Sequence, residues 1–587
     1  MKMRRCLALS GIVASAAILL AACGGSTPTS TSGSQATLQK ENTVVTALPL
    51  QTGITDYAPI ANARNYTIYN SGVEYMLWAP VVMVSSKDTI DWADSIAKSI
   101  TPNANDTQFT VTLNPWKWSN GQAITPQDVA WTTNVLLASC TMKNPPYSYG
   151  GCGFGGMPPS NATPVLTGAK AVGSDQVVFT VNKPANPTWF ELDGLGQIQP
   201  MPQSVWDKGN YTDDLKLLAQ VYNQATAPEY KVVSGPYKFD TSVQNEYYKF
   251  VPNSNYGGHK ATVTWVDQYE ASDSSEFADL KKGTINAGYI TTSMFGSASQ
   301  LKGQYTQWLS QGFCWYGMQL NSAQDSLDVG NAFQDEKVRA ALQYGIDENA
   351  IGKVLDGQIG AQKLWLPMYS PIPTGFASLT KAVFGVTSIP AQYPYDPAKG
   401  KALLEQDGWH LNAQGVMQKG SIELKFPVNF DSGSTETANA AVILQQDWAK
   451  MGVQITPTPV AFDTLVAMTD TQPGESSKWA ANWTGGWCYE PNFYPTGAGM
   501  WGFYDSEDDY NYAPFNQAVA EEYAPGTAAQ AEQHMYNYAV EAAKDLPYLW
   551  MPGFLQVNET APYIHGMQQY YNPVQAFEQM NWVTLTH

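Results

Sequence analysis

The stretch from Ile422 to Val460 limits the possible folds more than any other part of the chain. IELKFPVNF is a β-rich run, and VQITPTPV is a second one. Between them, Thr437–Met451 places Leu444, Trp448 and Met451 at the i, i+4, i+7 spacing of a helix and is closed by Gly452. Helix and strand alternating in this way point to a mixed α/β fold. Other helix signals agree. Thr125-Pro126-Gln127-Asp128 supplies a cap, a first-turn proline and an acid at the third helical position ahead of VAWTTNVLLAS. Asp335 opens DEKVRAALQYGIDENAIGKVL, read as one helical run with Val338, Ala341 and Leu342 on one face. Asp396-Pro397 starts a short helix that buries Leu403 and Leu404 and stops at Gly408. In the first half, QFTVTLN, QVVFTVN and YKVVSGPYKF read as strands. No internal repeat is evident.

The N-terminus sets the address. Lys2, Arg4 and Arg5 precede the apolar run LALSGIVASAAILLAA, which is short and rich in small residues, as in a secretory leader. It ends at Leu20-Ala21-Ala22-Cys23, which resembles a bacterial lipobox. Residues 1–22 are therefore expected to be a signal peptide and Cys23 the acylated first residue of the mature chain. Residues 23–40, which include GGSTPTSTSGSQATLQ, read as a flexible tether. A lipid and a tether would hold the protein on the outer side of the bacterial cell membrane, in the periplasm or at the outer face. No later segment offers the roughly 18 uninterrupted apolar residues of a span.

Charge excludes one class of partner. Removing residues 1–22 takes away three bases and no acid, leaving 29 Lys and Arg against 51 Asp and Glu, a formal charge of −22. Nucleic acid, which needs cationic contacts, is not an expected partner. Only Arg64 and Arg339 remain as arginines. Such a balance would suit acidic surroundings, although compositional drift gives the same counts. Without leader and tether, roughly 545 residues remain, enough for two or three domains.

Four cysteines other than Cys6 and Cys23 are left: Cys140, Cys152, Cys314 and Cys488. Outside the cytoplasm an even number suggests disulfides, and four cysteines allow three connectivities. Cys140 and Cys152 bracket a Pro/Gly-rich stretch that a bridge would stabilise by about 3 kcal/mol on the chain-entropy model. That pairing leaves Cys314 for Cys488. The histidines His259, His410, His534, His565 and His587 lie far apart, and no C-x-x-C occurs, so no metal site and no cofactor are expected. Nor is there a G-x-S-x-G, an H-E-x-x-H or a phosphate-cradling glycine loop, so the expected protein is not an enzyme.

Six segments then follow one another in an order that resembles a known family. They are FTVTLNPWKWSNGQAITPQDVAWT, SGPYKF, NSNYGGHKATVTWV, YGMQLNS with DEKVRAALQYGID, YDPAKGKALLEQDGW, and LQQDWAKMGVQI. The order is similar to that of the extracytoplasmic solute-binding proteins of the oligopeptide/dipeptide/nickel type (family 5), which deliver ligands to ABC importers. The resemblance implies a two-lobed periplasmic-binding-protein-like fold, type II in its large cluster C form, with an extra domain in one lobe and closure by a hinge. It implies a first lobe of residues 41–75, 230–310 and 553–587, an extra domain at 76–229 and a second lobe at 311–552. It further implies a monomer that works with an ABC permease and ATPase.

The same resemblance gives a place to NWTGGWCYEPNFYPTGAGMW at Asn482–Trp501. In the oligopeptide-binding branch a Gly-Trp-Cys segment lines the cleft, with its Cys bridged to the strand that enters the third domain. Gly486-Trp487-Cys488 and Cys314 match that arrangement. Two departures stand out. Peptide-binding members place an Asp shortly after this segment for the ligand's α-ammonium, whereas here the chain runs through Tyr489 to Glu490-Pro491, so Glu490 would have to substitute. Where some members carry a base for the carboxyl terminus, this chain has Thr484. The expected ligand-binding residues are Trp483, Trp487, Tyr489, Glu490, Asn492, Trp501, Trp315 and Tyr316. A peptide is the first expectation. A saccharide or other neutral polar solute, stacked on these rings, is the second. A secreted glycoside hydrolase using Glu490 and the Glu507–Asp509 acids is a remote third.

Overall fold

In the computed structural model the Ile422–Val460 run forms strand Lys425–Asp431, helix Thr435–Ala449 and strand Gln454–Val460. The structure describes residues 35–48, 53–62, 67–153, 155–158, 164–384, 389, 392–461, 464–465, 468, 476–488 and 512–587; of residues 68, 379, 382–384, 484, 487, 488 and 528 it describes the backbone alone. The two strands pair in parallel because the helix carries the chain back across the sheet. Ser434 caps that helix by accepting the Thr437 N–H at 3.0 Å. Leu444, Trp448 and Met451 are fully buried, and Gly452 takes the left-handed φ of +81° that ends the turn.

Three sheets carry the architecture. A five-stranded sheet has the order Gln454–Val460, Lys425–Asp431, Ala481–Cys488, Cys314–Leu320, Tyr548–Trp550. A seven-stranded sheet has the order Thr306–Ser310, Gln556–Thr560, Ala287–Ile290, Thr43–Ala47, Thr264–Gln268, Tyr247–Pro252, Tyr237–Val243. Its central strand, Thr43–Ala47, is parallel to both neighbours and buries Val44 and Val45. The third sheet is antiparallel, Ala97–Pro102, Gln108–Leu113, Gln176–Val181, Leu166–Val172, and helix Pro126–Thr141 packs on it. That helix starts with a reciprocal cap. The Thr125 hydroxyl accepts the Asp128 N–H, and the Asp128 carboxylate accepts the Thr125 N–H at 2.8 Å.

The five- and seven-stranded sheets are the centres of two lobes, and the antiparallel sheet is the extra domain. The second lobe has its own core, built on Met318, Leu342, Phe426, Trp448 and Leu549. The chain passes between the lobes through Gln311–Phe313 and returns through Met551–Leu555. The extra domain also reaches the second lobe. The Asn186 N–H donates to the Tyr523 carbonyl at 2.8 Å, its amide donates to the Glu522 carbonyl at 3.2 Å, and Trp189 meets Tyr523 edge-on at 4.7 Å. A disulfide joins Cys140 to Cys152. Within the loop it closes, Tyr147 is buried and the Tyr149 hydroxyl donates to Gln197 Oε1 at 2.8 Å.

Two sequence expectations fail for local reasons. The run opened by Asp335 is two helices, Glu336–Tyr344 and Glu348–Leu355, rather than one. Gly345 lies against Trp448 and Met451, where a Cβ would come within 2.5 Å of both. Asp347 then caps a fresh helix by accepting the Asn349 and Ala350 N–H groups. YKVVSGPYKF is a strand only in its last part. Tyr230 sits in a 3₁₀ turn, Pro228–Lys231, and pairing begins at Tyr237. Gly235 intervenes, donating to the Leu77 carbonyl at 2.7 Å so closely that a Cβ would lie 2.4 Å from Met76 O.

Arg339 is buried, and its guanidinium is held by neighbours in the interior. Its guanidinium donates to Asp545 Oδ1 at 2.7 Å, to the Asp545 carbonyl at 2.9 Å, and to the carbonyls of Phe333 and Gln334. Arg339→Leu strands the buried Asp545 carboxylate and is expected to cost about 3–5 kcal/mol in denaturant unfolding, with much of the loss recovered in Arg339→Leu/Asp545→Leu. In several other acids burial outweighs the groups that would lower them. Asp56, Asp88 and Asp267 are each pushed up to about 7, and Glu348 up to about 8, chiefly by burial. The folded chain thus holds protons that the unfolded chain releases near its ordinary carboxyl pKa of about 4. Their favourable contribution is complete below that value and is lost as pH rises through the folded values. Calorimetry should therefore find the highest melting temperature near about pH 4–5 and a lower one at about pH 8; a melting temperature that climbs over that interval contradicts this account.

Candidate functional site

Between the two lobes lies a cavity of about 660 Å³, within the range of ligand pockets. The first lobe contributes the end of strand Ala287–Ile290, with Trp265, Trp308 and Tyr571. The second contributes the start of strand Cys314–Leu320, the end of strand Ala481–Cys488, the first turn of helix Thr435–Ala449 and the exit of helix Glu348–Leu355. Both crossing segments also line it, through Gln311 and Phe554.

Several aromatic rings stand in its wall, and the polar tips of Trp265, Trp308 and Tyr289 are tied back into the protein. The Trp265 indole donates to Thr46 Oγ1 at 2.7 Å, and the Trp308 indole to Thr560 Oγ1 at 2.9 Å. The Tyr289 hydroxyl donates to the Leu48 carbonyl at 3.2 Å. Rings held in this way present a fixed apolar face without a loose donor. The Asn558 amide donates to the Ser310 hydroxyl at 2.9 Å, directly beside one crossing segment.

The Gly-Trp-Cys region lies at the cavity through its backbone. Strand Ala481–Cys488 runs antiparallel to Cys314–Leu320, pairing Cys488 with Cys314, Trp487 with Trp315, and Gly486 with Tyr316. Cys314 is disulfide-bonded. Side chains alternate along a strand, so Cys314 and Tyr316 face the cavity while Trp315 turns away. Trp315 is 3% exposed and packs on Tyr548 at 4.6 Å and edge-on to Trp550 at 6.3 Å. This corrects the expectation for Trp315, which is a core residue. Tyr316 and Trp483 do line the cavity, although Trp483 is only 4% exposed. Of Trp487 only the strand backbone is described. Cys23, Tyr489, Glu490, Asn492 and Trp501 lie outside the described residues.

Tyr316 is placed by glycines. A Cβ on Gly486 would fall 2.4 Å from the Trp315 carbonyl and 2.5 Å from the Tyr316 ring, and one on Gly553 would fall 2.8 Å from the same ring. The ring meets Phe554 at 5.3 Å. Glycine at 486 is thus demanded by the close approach of two strands.

Sequence reading missed most of the wall. Tyr69, Trp265, Trp308 and Tyr571 come from segments far apart in the chain and carry no common local pattern. It also missed the charged residues. Asp267 and Glu578 line the cavity from the first lobe, Asp356 and Glu436 from the second. Asp267 accepts the Thr46 hydroxyl at 2.9 Å, yet burial pushes it up to about 7. Burial, and after it the charge of Glu436, hold the Asp356 carboxyl well above the usual range. Among the described residues no Lys, Arg or His lines the cavity.

The profile of the bacterial extracellular solute-binding proteins, family 5 (its middle part), matches residues 92–509. Among curated relatives, the chain is 24% identical over 493 residues to the oligopeptide-binding protein OppA of Lactococcus lactis subsp. cremoris (strain SK11), covering 77% of this chain and 76% of that protein. It is 27% identical over 229 residues to the nickel-binding periplasmic protein of Escherichia coli (strain K12), covering 38% and 40%. Among solved structures, the oligopeptide-binding protein AppA from Bacillus subtilis in complex with a nonapeptide superposes with a TM-score of 0.72 at 18% identity, over 93% of this chain and 99% of the other. That likeness establishes the fold as the two-lobed type II form. Gly486→Ala is expected to lower stability by about 1–3 kcal/mol through overpacking and to shift the Tyr316 ring, read by urea unfolding and by a changed near-ultraviolet circular dichroism signal.

Proposed function

The chain belongs to family 5 of the bacterial extracellular solute-binding proteins, and from that premise we propose that it is a lipid-anchored receptor that carries oligopeptides to an ABC importer. It is a binding protein that works outside the cytoplasm, not an enzyme. The glycoside-hydrolase expectation therefore falls away.

The observation that carries the peptide reading is the cavity between the lobes, with tethered rings in its wall and lined by the paired strands Cys314–Leu320 and Ala481–Cys488. Rings with satisfied tips accept varied side chains without demanding a partner from them. The relative OppA is an oligopeptide-binding protein, and AppA holds a nonapeptide in the same fold. In this reading the lobes comprise residues 41–75, 230–310 and 553–587, with the extra domain at 76–229, and residues 311–552. They close on the ligand by pivoting about the two crossing segments. Trp487, Tyr489, Glu490, Asn492 and Trp501 join Trp483 and Tyr316 at the ligand, with Glu490 taking its ammonium. Cys23 carries the lipid, and a monomer hands its cargo to the permease and ATPase.

A peptide at about 100 times its Kd should raise stability by about 2.7 kcal/mol. A thermal-shift screen of peptides of two to nine residues against maltooligosaccharides checks this. Stabilisation by the sugars alone replaces peptide with the neutral-solute reading. Trp487→Ala should weaken peptide binding by at least about 1 kcal/mol in titration calorimetry, and an unchanged affinity removes that ring from the site. Cys23→Ser should release the protein from the membrane fraction into the soluble one.

A further inference from the structure

The charges around the cavity all have one sign. Asp267 and Glu578 face it from the first lobe and Asp356 and Glu436 from the second, with no base among the described lining residues. A closing cleft strips water from its walls, and burying carboxylates without a counter-charge is costly. The remaining internal sequence offers little relief. Residues 489–511, which follow Gly485–Gly486 in the chain, hold five acids and no base, and Arg64 is the only base in the internal segments outside the described residues. A solute that brings positive charge relieves that cost while leaving the carboxylates ionised.

One corner is built to receive it. Asp356 leaves helix Glu348–Leu355 at its C-cap, and its Oδ2 is wholly buried with no hydrogen-bond partner among the described residues. Glu436, in the first turn of helix Thr435–Ala449, is close enough for its charge to bear on Asp356. Asp356 in turn bears on the Tyr316 hydroxyl, as does Tyr69 from the opposite lobe. The Tyr316 and Phe554 rings, tilted to each other with centroids 5.3 Å apart, line the same cavity. A carboxylate with a free acceptor, a second carboxylate and aromatic faces make a receptor for an ammonium or guanidinium. Asp267 differs, because its carboxylate already accepts the Thr46 hydroxyl. Asp356 is the acid whose acceptor is left open.

We propose that the cleft selects solutes of net positive charge, with a ligand ammonium or guanidinium held by Asp356 and Glu436 against the Tyr316 ring. This rests on the solute-binding reading and narrows it. A cationic side chain of a peptide, and not only its α-ammonium, is the group recognised at this corner.

The test is titration of the mature protein, near neutral pH and at low salt, with Ala-Ala-Lys-Ala-Ala, Ala-Ala-Gln-Ala-Ala and Ala-Ala-Glu-Ala-Ala, and separately with spermidine. The expected order is Lys tighter than Gln tighter than Glu, with at least about a tenfold gap between the first and last, since close opposite charges are worth more than a hydrogen bond between neutral groups. Asp356→Asn and Glu436→Gln should each narrow the Lys-over-Gln ratio. Asp213→Asn, on the surface beside Lys216, should leave it as it was and serves as the folded control. Equal affinity for the three peptides overturns the charge preference while peptide binding stands. Binding of spermidine with none of the peptides keeps the preference and overturns the peptide reading. Silence from all four overturns both. A Lys preference that survives Asp356→Asn and Glu436→Gln removes this corner from the proposal.

Discussion

The structure depends most on how its chain crosses between lobes. Strand Thr306–Ser310 pairs with Gln556–Thr560 in the first lobe, with Ser310 opposite Gln556, and strand Cys314–Leu320 pairs with Tyr548–Trp550 in the second, with Gly317 opposite Trp550. The two crossings are therefore neighbours, antiparallel and hydrogen-bonded at each end. The Met551 N–H donates to the Tyr316 carbonyl at 3.1 Å, which extends that pairing toward the gap. Two short neighbouring segments between paired strands match the few-residue hinges about which lobes close. The contact between Asn186 and the Glu522–Tyr523 backbone lies in another part of the chain and ties the extra domain to the second lobe. Swinging the lobes apart there means giving up two hydrogen bonds and the Trp189–Tyr523 ring contact.

Crossing and cleft are one construction. Tyr316 sits two residues into the strand that leaves the hinge, and its ring is bounded by Gly486 on the neighbouring strand and Gly553 on the returning one. The ring therefore reports the state of both crossings at once. Four acids line the space it faces, and others, Asp56 and Asp88 among them, are buried elsewhere in the molecule. The acidic composition is thus not confined to the surface. It reaches into the interior, where desolvation keeps protons on carboxyl groups that water would strip.

Much of this was legible in sequence because local rules decided it. The Thr125–Asp128 cap, the Ser434-to-Gly452 helix and the strands on either side of it follow from side chains acting on their own backbone. The order of motifs gave the two-lobed α/β fold, and the Gly-Trp-Cys segment led to the right pair of strands. Parity along a strand was not legible. Cys314, Trp315 and Tyr316 are all apolar or aromatic, so nothing in the string says which neighbour faces the cleft, and Trp315 proved to be interior. The break at Gly345 also escaped, since it answers to Trp448 and Met451 a hundred residues away. Asp356 was invisible for the same reason: an acid after a helix looks like an ordinary turn until the opposite lobe is brought over it.

The covalent links carry a consequence for where the chain reaches its final form. Cys314, on a strand that lines the cleft, is disulfide-bonded, and Cys140–Cys152 fastens a loop of the extra domain. Thiols stay reduced in the cytosol and oxidise beyond the membrane. A freshly made copy still inside the cell is therefore expected to lack both bonds. The covalent form of both segments is then a product of export, in keeping with a family that works outside the cytoplasm.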